Sequence, residues 1–208
     1  MSFKENEAFF SRAKVVPVLT PESVASGVAV SRVLFDAGLQ MQEITLRTEW
    51  GLETIATLTR ELPGLIVGAG SVVTPELGEA AIQAGARFLV SPGTNDTLLQ
   101  FAATCRVAFL PGVSTVSEAM RVLALGCTAA KLFPADLLGG VAFLRSVAGP
   151  LPSMKFCPSG GIDTKVARDY LRLGNVLAVG GSWMAPAELI RQNRFTDIRQ
   201  LAEEAASL

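Results

Sequence analysis

Histidine is missing from this 208-residue chain altogether. Without it there is no Ser-His-Asp or Cys-His nucleophile pair, no His-ligated zinc and no HExxH metalloenzyme. Any acid–base chemistry falls to a carboxylate, Lys, Tyr, Cys or a bound water. Metal chemistry would need a cluster of carboxylates, and the sequence offers none. Cysteine is scarce as well. Cys105, Cys127 and Cys157 are odd in number, far apart and outside any C-x-x-C pattern, which reads as reduced core thiols in a cytoplasmic protein rather than a disulfide framework. Net charge is only −1 and there is no basic block, so neither nucleic acid nor a membrane surface is the expected partner. No apolar run approaches the length that spans a bilayer. The opening MSFKENEAFFSRAK alternates charges and lacks the apolar stretch of a secretory signal.

What the chain does have is apolar side chain, at 50% of residues against 18% charged, enough for one large core. Eight short β-rich runs, KVVPVLT, MQEITL, LIVGAGSV, RFLVSPG, VAFLPGV, AAKLFPA, KFCPSGG and NVLAVGGS, alternate with helical stretches such as PESVASGVAVSRVLFDAG and TPELGEAAIQAG. Gly38, Gly85, Gly126 and Gly174 stand where a left-handed helix cap would precede the next strand. Thr74-Pro75, Ser114 and Asp163 read as helix starts. Strand–helix alternation predicts an all-parallel sheet, and eight units are the closing number of a (β/α)8 TIM barrel. The segment before Lys14 is expected to be an extra N-terminal helix covering the barrel bottom. No linker or composition shift divides the chain, so residues 1–208 read as one domain. The competing architecture is an open doubly wound sheet.

In a closed parallel barrel the active site lies at the C-terminal ends of the strands, and unusual residues gather there. In EITLRT, period-two alternation puts Glu43, Thr45 and Arg47 on one face, with Ile44 and Leu46 on the other. The apolar pair suits the helix side, so the polar set is expected to face into the barrel. A half-exposed edge strand would be the plainer reading, but a closed barrel has no edge. In AAKLFPA, Ala129, Lys131 and Phe133 share a face opposite Ala130 and Leu132. An isolated lysine is usually solvated; here it must choose between the helix-facing core and the barrel mouth, and the mouth is the tolerable place. A partly desolvated amine, with a cation such as Arg47 nearby, is a nucleophile suited to carbonyl substrates. The loops PSGGID and VGGSW follow the seventh and eighth runs, where barrels commonly hold a phosphate on backbone N–H groups and a helix N-terminus. Gly160, Gly161, Gly180 and Gly181 would let the backbone approach an anion, and Ser159 and Ser182 add hydroxyls. Paired glycines also make ordinary tight turns, but two pairs in these two loops point to a phosphorylated ligand.

Together EITLRT, GAGSV, SPG, PGVST, KLFPAD, CPSGG and GGSW, in order and at barrel spacing, closely resemble the bacterial 2-keto-3-deoxy-6-phosphogluconate (KDPG) and 4-hydroxy-2-oxoglutarate (KHG) aldolase family. The resemblance implies a class I aldolase that needs no cofactor or metal and cleaves a phosphorylated keto sugar acid to pyruvate and glyceraldehyde 3-phosphate. It places the Schiff base on Lys131 and general acid–base work, through a water, on Glu43. It puts Arg47 and Ser71 around the pyruvyl carboxylate, Pro92 and Phe133 in the pocket wall, and Gly160, Gly161 and Ser182 at the phosphate, with Ser159 and Gly181 as further substrate-binding positions. It further implies a homotrimer that also cleaves 4-hydroxy-2-oxoglutarate. Three positions depart from the family pattern: Ser71 and Ser159 stand where threonine is expected, and Asp136 where glutamate is usual. Each keeps its hydrogen-bonding type, and the first two lie where substrate stereochemistry would be judged. Sibling enzymes for the galactonate epimer resemble this chain overall but usually lack the arginine of TLRT, so Arg47 favours the gluconate. The rivals from other classes are a phosphosugar isomerase or epimerase barrel and a non-catalytic sensor of the same ligand.

Overall fold

Every β-rich run becomes parallel strand in a computed structural model of the chain, which describes residues 3–208, Lys4 by its backbone alone. The strands are β1 (Val15–Leu19), β2 (Met41–Thr45), β3 (Ile66–Gly70), β4 (Phe88–Val90), β5 (Ala108–Leu110), β6 (Gly112–Val113), β7 (Ala129–Leu132), β8 (Lys155–Pro158) and β9 (Val179–Gly181). Among the described residues there are nine rather than eight because the fifth run breaks at Pro111, which has no N–H for the ladder. The Pro111 carbonyl still accepts from the Lys131 amide at 2.8 Å, so β6 continues the course of β5. Strands pair in the orders β5-β4-β3-β2-β1-β9 and β6-β7-β8. Parallel bridges from Phe156 to Val176 and from Ser159 to Gly180 join β8 to the β9 side. The ring of eight staves thereby closes, and the open doubly wound sheet is excluded.

Around the ring run α1 (Asn6–Phe10), α2 (Val24–Asp36), α3 (Gly51–Glu61), α4 (Pro75–Gln83), α5 (Asp96–Thr104), α6 (Val116–Ala124), α7 (Gly140–Ala148), α8 (Thr164–Leu171), α9 (Ala187–Arg191) and α10 (Phe195–Ala206). Thr74 caps α4 with Pro75 in its first turn, and Asp163 caps α8. Ser114 is not a cap. One residue later, Thr115 accepts from the Glu118 amide while the Glu118 carboxylate accepts from the Thr115 amide at 3.0 Å, a reciprocal capping box that outcompetes a single hydroxyl. Ser114 instead donates to the Phe133 carbonyl at 2.8 Å. Gly38, Gly85 and Gly126 take the expected left-handed conformation, with φ of 98°, 100° and 82°. Gly174 does not: α8 ends earlier, at Leu171, and the Gly174 carbonyl accepts from Lys155 Nζ at 2.8 Å. Among the described residues no helix is long and apolar enough to cross a membrane.

Two apolar cores result. The larger lies between strands and helices and includes Ile44, Ala130 and Leu132. The smaller fills the barrel interior with Val16, Met41, Phe88, Val90, Leu110, Ala129 and Cys157. The N-terminal helix closes this inner core from below, as its position in the sequence predicts. Phe9 and Phe10 both join it, and the Phe10 and Phe88 rings meet edge to face at 5.6 Å. Asn6 Nδ2 ties α1 to β5 by donating to the Phe109 carbonyl at 2.5 Å. Phe10 is only 2% exposed. Phe10→Ala is therefore expected to cost about 3–5 kcal/mol of stability, the usual range for an emptied aromatic site, read as a lowered denaturant midpoint at unchanged slope.

Candidate active site

The alternation in β2 holds through Thr45. Met41 belongs to the inner core and Ile44 to the outer one, while the outward Gln42 amide donates to the carbonyls of Ser31 and Leu39, each at 3.0 Å. Glu43 thus faces the barrel axis, and above it the Thr45 hydroxyl lies 2.9 Å from that of Thr20. Alternation does not extend to Arg47, because the strand ends at Thr45 and Arg47 lies in the following turn, exposed. Its side chain nevertheless returns to the mouth, where Nε donates to Ser71 Oγ at 2.8 Å.

In β7 the same rule sends Ala130 and Leu132 outward and Lys131 inward. Lys131 Nζ stands 3.3 Å from Glu43 Oε1, with both side chains 5% exposed. The amine also sits 5.3 Å from the centre of the Phe133 ring, within cation–π range. This lysine has not found water at an edge; it is held inside against a carboxylate and an aromatic face. Below it a void of about 20 Å³ touches Glu43, Lys131, Phe10 and Cys157, room for one water molecule.

Above lies a cavity of about 320 Å³, lined by Val18, Arg47, Lys131, Phe133, Ser159, Gly160, Gly161, Ile162, Gly181, Ser182 and Trp183. Gly160 and Gly161 adopt φ of 98° and 72°, which side chains other than glycine rarely tolerate. The carbonyls of Ser159 and Gly160 accept from the amides of Ala135 and Asp136 at 2.8 and 3.2 Å, so the turn after β7 holds this loop from behind. Pro92 is apart from that lining. It follows β4 with its backbone pressed on Gly112, the register partner of Lys131. Val18, Thr20, Ile162 and Trp183 escaped the sequence reading. Alternation from Val16 would have found Val18, and GGSW already contained Trp183. The Trp183 ring packs over Gly181, and its Nε1–H is buried without an acceptor among the described residues.

The thiols stay out of this chemistry. Burial pushes Cys157, beside Lys131 in the β7–β8 register, up to about 12. Burial likewise raises Cys105 and Cys127. Since the thiolate is the reactive form, native protein at pH 8 should show almost no rapid reaction with a disulfide reagent. All three thiols should become titratable on denaturation.

A family model described as KDPG and KHG aldolase matches residues 7–201. The KHG/KDPG aldolase of Escherichia coli K12 is 39% identical over 199 residues, 96% of this chain and 93% of that protein. The 2-dehydro-3-deoxy-phosphogluconate aldolase of Dickeya dadantii is 40% identical over 201 residues, 97% and 94% of the two chains. Among solved structures, KDPG aldolase from Legionella pneumophila, with pyruvate captured as a covalent carbinolamine intermediate, superimposes with a TM-score of 0.94 at 36% identity, covering 97% of this chain and 98% of that one. With a family model over nearly its whole length and relatives this similar, the chain belongs to the KDPG and KHG aldolase family.

Proposed function

We propose that this protein is a class I aldolase that cleaves 2-keto-3-deoxy-6-phosphogluconate to pyruvate and glyceraldehyde 3-phosphate, with Lys131 forming the Schiff base. The observation that carries the reading is the buried Lys131–Glu43 pair, 3.3 Å apart at the foot of the mouth cavity. The Lys131 amine, its proton passed to Glu43, adds to the substrate's C2 ketone to give a carbinolamine. Loss of water leaves an iminium. Removal of the C4 hydroxyl proton then breaks the C3–C4 bond, and its electron pair flows to the iminium nitrogen as glyceraldehyde 3-phosphate departs. Protonation of the resulting enamine at C3 and hydrolysis release pyruvate and restore the amine. Every proton in this sequence can be handled by one carboxylate within hydrogen-bond reach of the amine.

The two ends of the cavity divide the substrate's charges. The Arg47–Ser71 pair takes the pyruvyl carboxylate, for which a guanidinium fork is the fitting donor. Phe133 walls the reacting carbons, and Pro92, against Gly112 beside Lys131, is assigned to the same wall. Ser159, Gly160, Gly161, Gly181 and Ser182 take the phosphate. Cleavage of 4-hydroxy-2-oxoglutarate, the assembly of this chain as a homotrimer and a cytoplasmic location belong to the same reading, the last in keeping with three unpaired thiols. The sibling galactonate activity is the second reading, disfavoured by Arg47.

Borohydride reduction in the presence of pyruvate should fix the label on Lys131, and Lys131→Met should abolish cleavage. Label on Lys155 or Lys165 would overturn the assignment, and no label at all would favour an isomerase barrel. Ser182→Ala removes one donor to a charged group, worth about 1.5–3 kcal/mol, or roughly ten- to a hundredfold in kcat/KM on the phosphorylated substrate. On 4-hydroxy-2-oxoglutarate, which has no phosphate, the same variant should run almost as wild type. Equal losses on both substrates would remove Ser182 from the phosphate site.

A further inference from the structure

Strand β3 faces the barrel axis with two glycines, Gly68 and Gly70, and neither is there for its backbone, since neither takes a positive φ. Space is the reason. A Cβ on Gly68 would clash with the face of the Phe88 ring. A Cβ on Gly70 would collide with the Glu43 carboxylate, lying 2.6 Å from both Cγ and Cδ and closer still to Oε1. The three heavy atoms nearest that hypothetical Cβ all belong to Glu43. Contacts under 3.0 Å are ones real Cβ atoms essentially never make. Gly70 is also fixed in place, paired with Thr45 in the β2–β3 register and accepting from the Leu46 amide at 2.9 Å. The carboxylate therefore lies along bare backbone, and from there Oε1 reaches Lys131 Nζ.

We propose that Gly70 is a positioning residue: its missing side chain is the slot that holds the Glu43 carboxylate against Lys131. Any larger residue at 70 evicts the carboxylate from that place while leaving the amine where it is. The proposal rests on Glu43 being the proton-transfer group.

The test is a double-mutant cycle read by exchange of the pyruvate methyl protons with solvent. Gly70→Ala should slow exchange by about 10²-fold, the scale of an ångström's misplacement, while borohydride still places the pyruvate label on Lys131. On a Glu43→Gln background the same substitution should change exchange less than about twofold, because it acts through the carboxylate. Wild-type exchange in Gly70→Ala, or full losses that multiply in the double variant, would overturn the proposal. Wild-type exchange in Glu43→Gln would instead overturn the role of Glu43, and the proposal with it. Thermal unfolding supplies an arm independent of activity. Gly70→Ala should lower Tm in the wild-type chain but not on a Glu43→Ala background, where the slot is empty and alanine is the better strand residue. If Gly70→Ala alone fails to fold, a folded Glu43→Ala/Gly70→Ala protein supports the slot, and an unfolded one refutes it.

Discussion

Two opposite charges buried 3.3 Å apart near the barrel axis constrain most of what surrounds them. Removing a carboxylate and an ammonium from water costs several kcal/mol for each ion, and the loss is offset only when their geometry is right. The pair also spans the barrel: β2 and β7 are four staves apart in the eight-stave ring, so the side chains meet from opposite walls. That meeting requires a barrel neither collapsed nor flooded. Phe9, Phe10 and Phe88 seal the floor, Leu110 and Val90 fill the sides, and the glycines of β3 keep one wall bare. Deleting either partner alone would strand a charge in this apolar shell, which is why an isolated buried lysine never stands without an account of its counter-ion.

Much of this was legible because strand alternation is a strict rule where both faces are buried. Ile44 and Leu132 had to face the helices, so Glu43 and Lys131 had to face the axis, and the closed ring left no edge where they could meet solvent. The rule failed where the strand stopped: Arg47 lies one turn beyond Thr45, and a two-residue period says nothing about a turn. Local signals failed where a stronger neighbour competed. Thr115 with Glu118 displaced Ser114 as a cap, and the early end of α8 released Gly174 from capping. Least legible were absences. That Gly68 and Gly70 make room for Phe88 and Glu43 depends on which side chains cross from neighbouring strands. A single chain written in one dimension does not show that.

The mouth is built from two kinds of support that differ in stiffness. On the β2–β3 side the contact is side chain to side chain, the Arg47 guanidinium resting on Ser71 from an exposed turn. On the β8–β9 side it is backbone. The loop is pinned at the Ser159 and Gly160 carbonyls by hydrogen bonds from the Ala135 and Asp136 amides, and the bridge from Ser159 to Gly180 locks the loops together. In the proposed assignment the phosphate end is thus preorganised and the carboxylate end adaptable. Rigidity suits the remote group, whose binding energy positions the substrate, and adaptability suits the end that is remade as ketone becomes carbinolamine and iminium.

The two serines at positions where threonine is the family expectation fit this division. Ser71 has φ of 60°, a region where a β-branched side chain is a genuine outlier, so loss of the γ-methyl relieves backbone strain while its Oγ still receives Arg47 Nε. Ser159 is 6% exposed, and its Oγ lies over Gly180, where a Cβ would come within 3.2 Å of it, so the bare glycine is what leaves the hydroxyl its place. A methyl group discriminates substrates by only about 1–3 kcal/mol, whereas a site built to hydrogen-bond a hydroxyl rejects a mismatched one by far more. Both serines keep the hydroxyl and give up the methyl. In the proposed assignment the stronger lever on substrate choice therefore stays in place at both positions, and what changes is the room beside it.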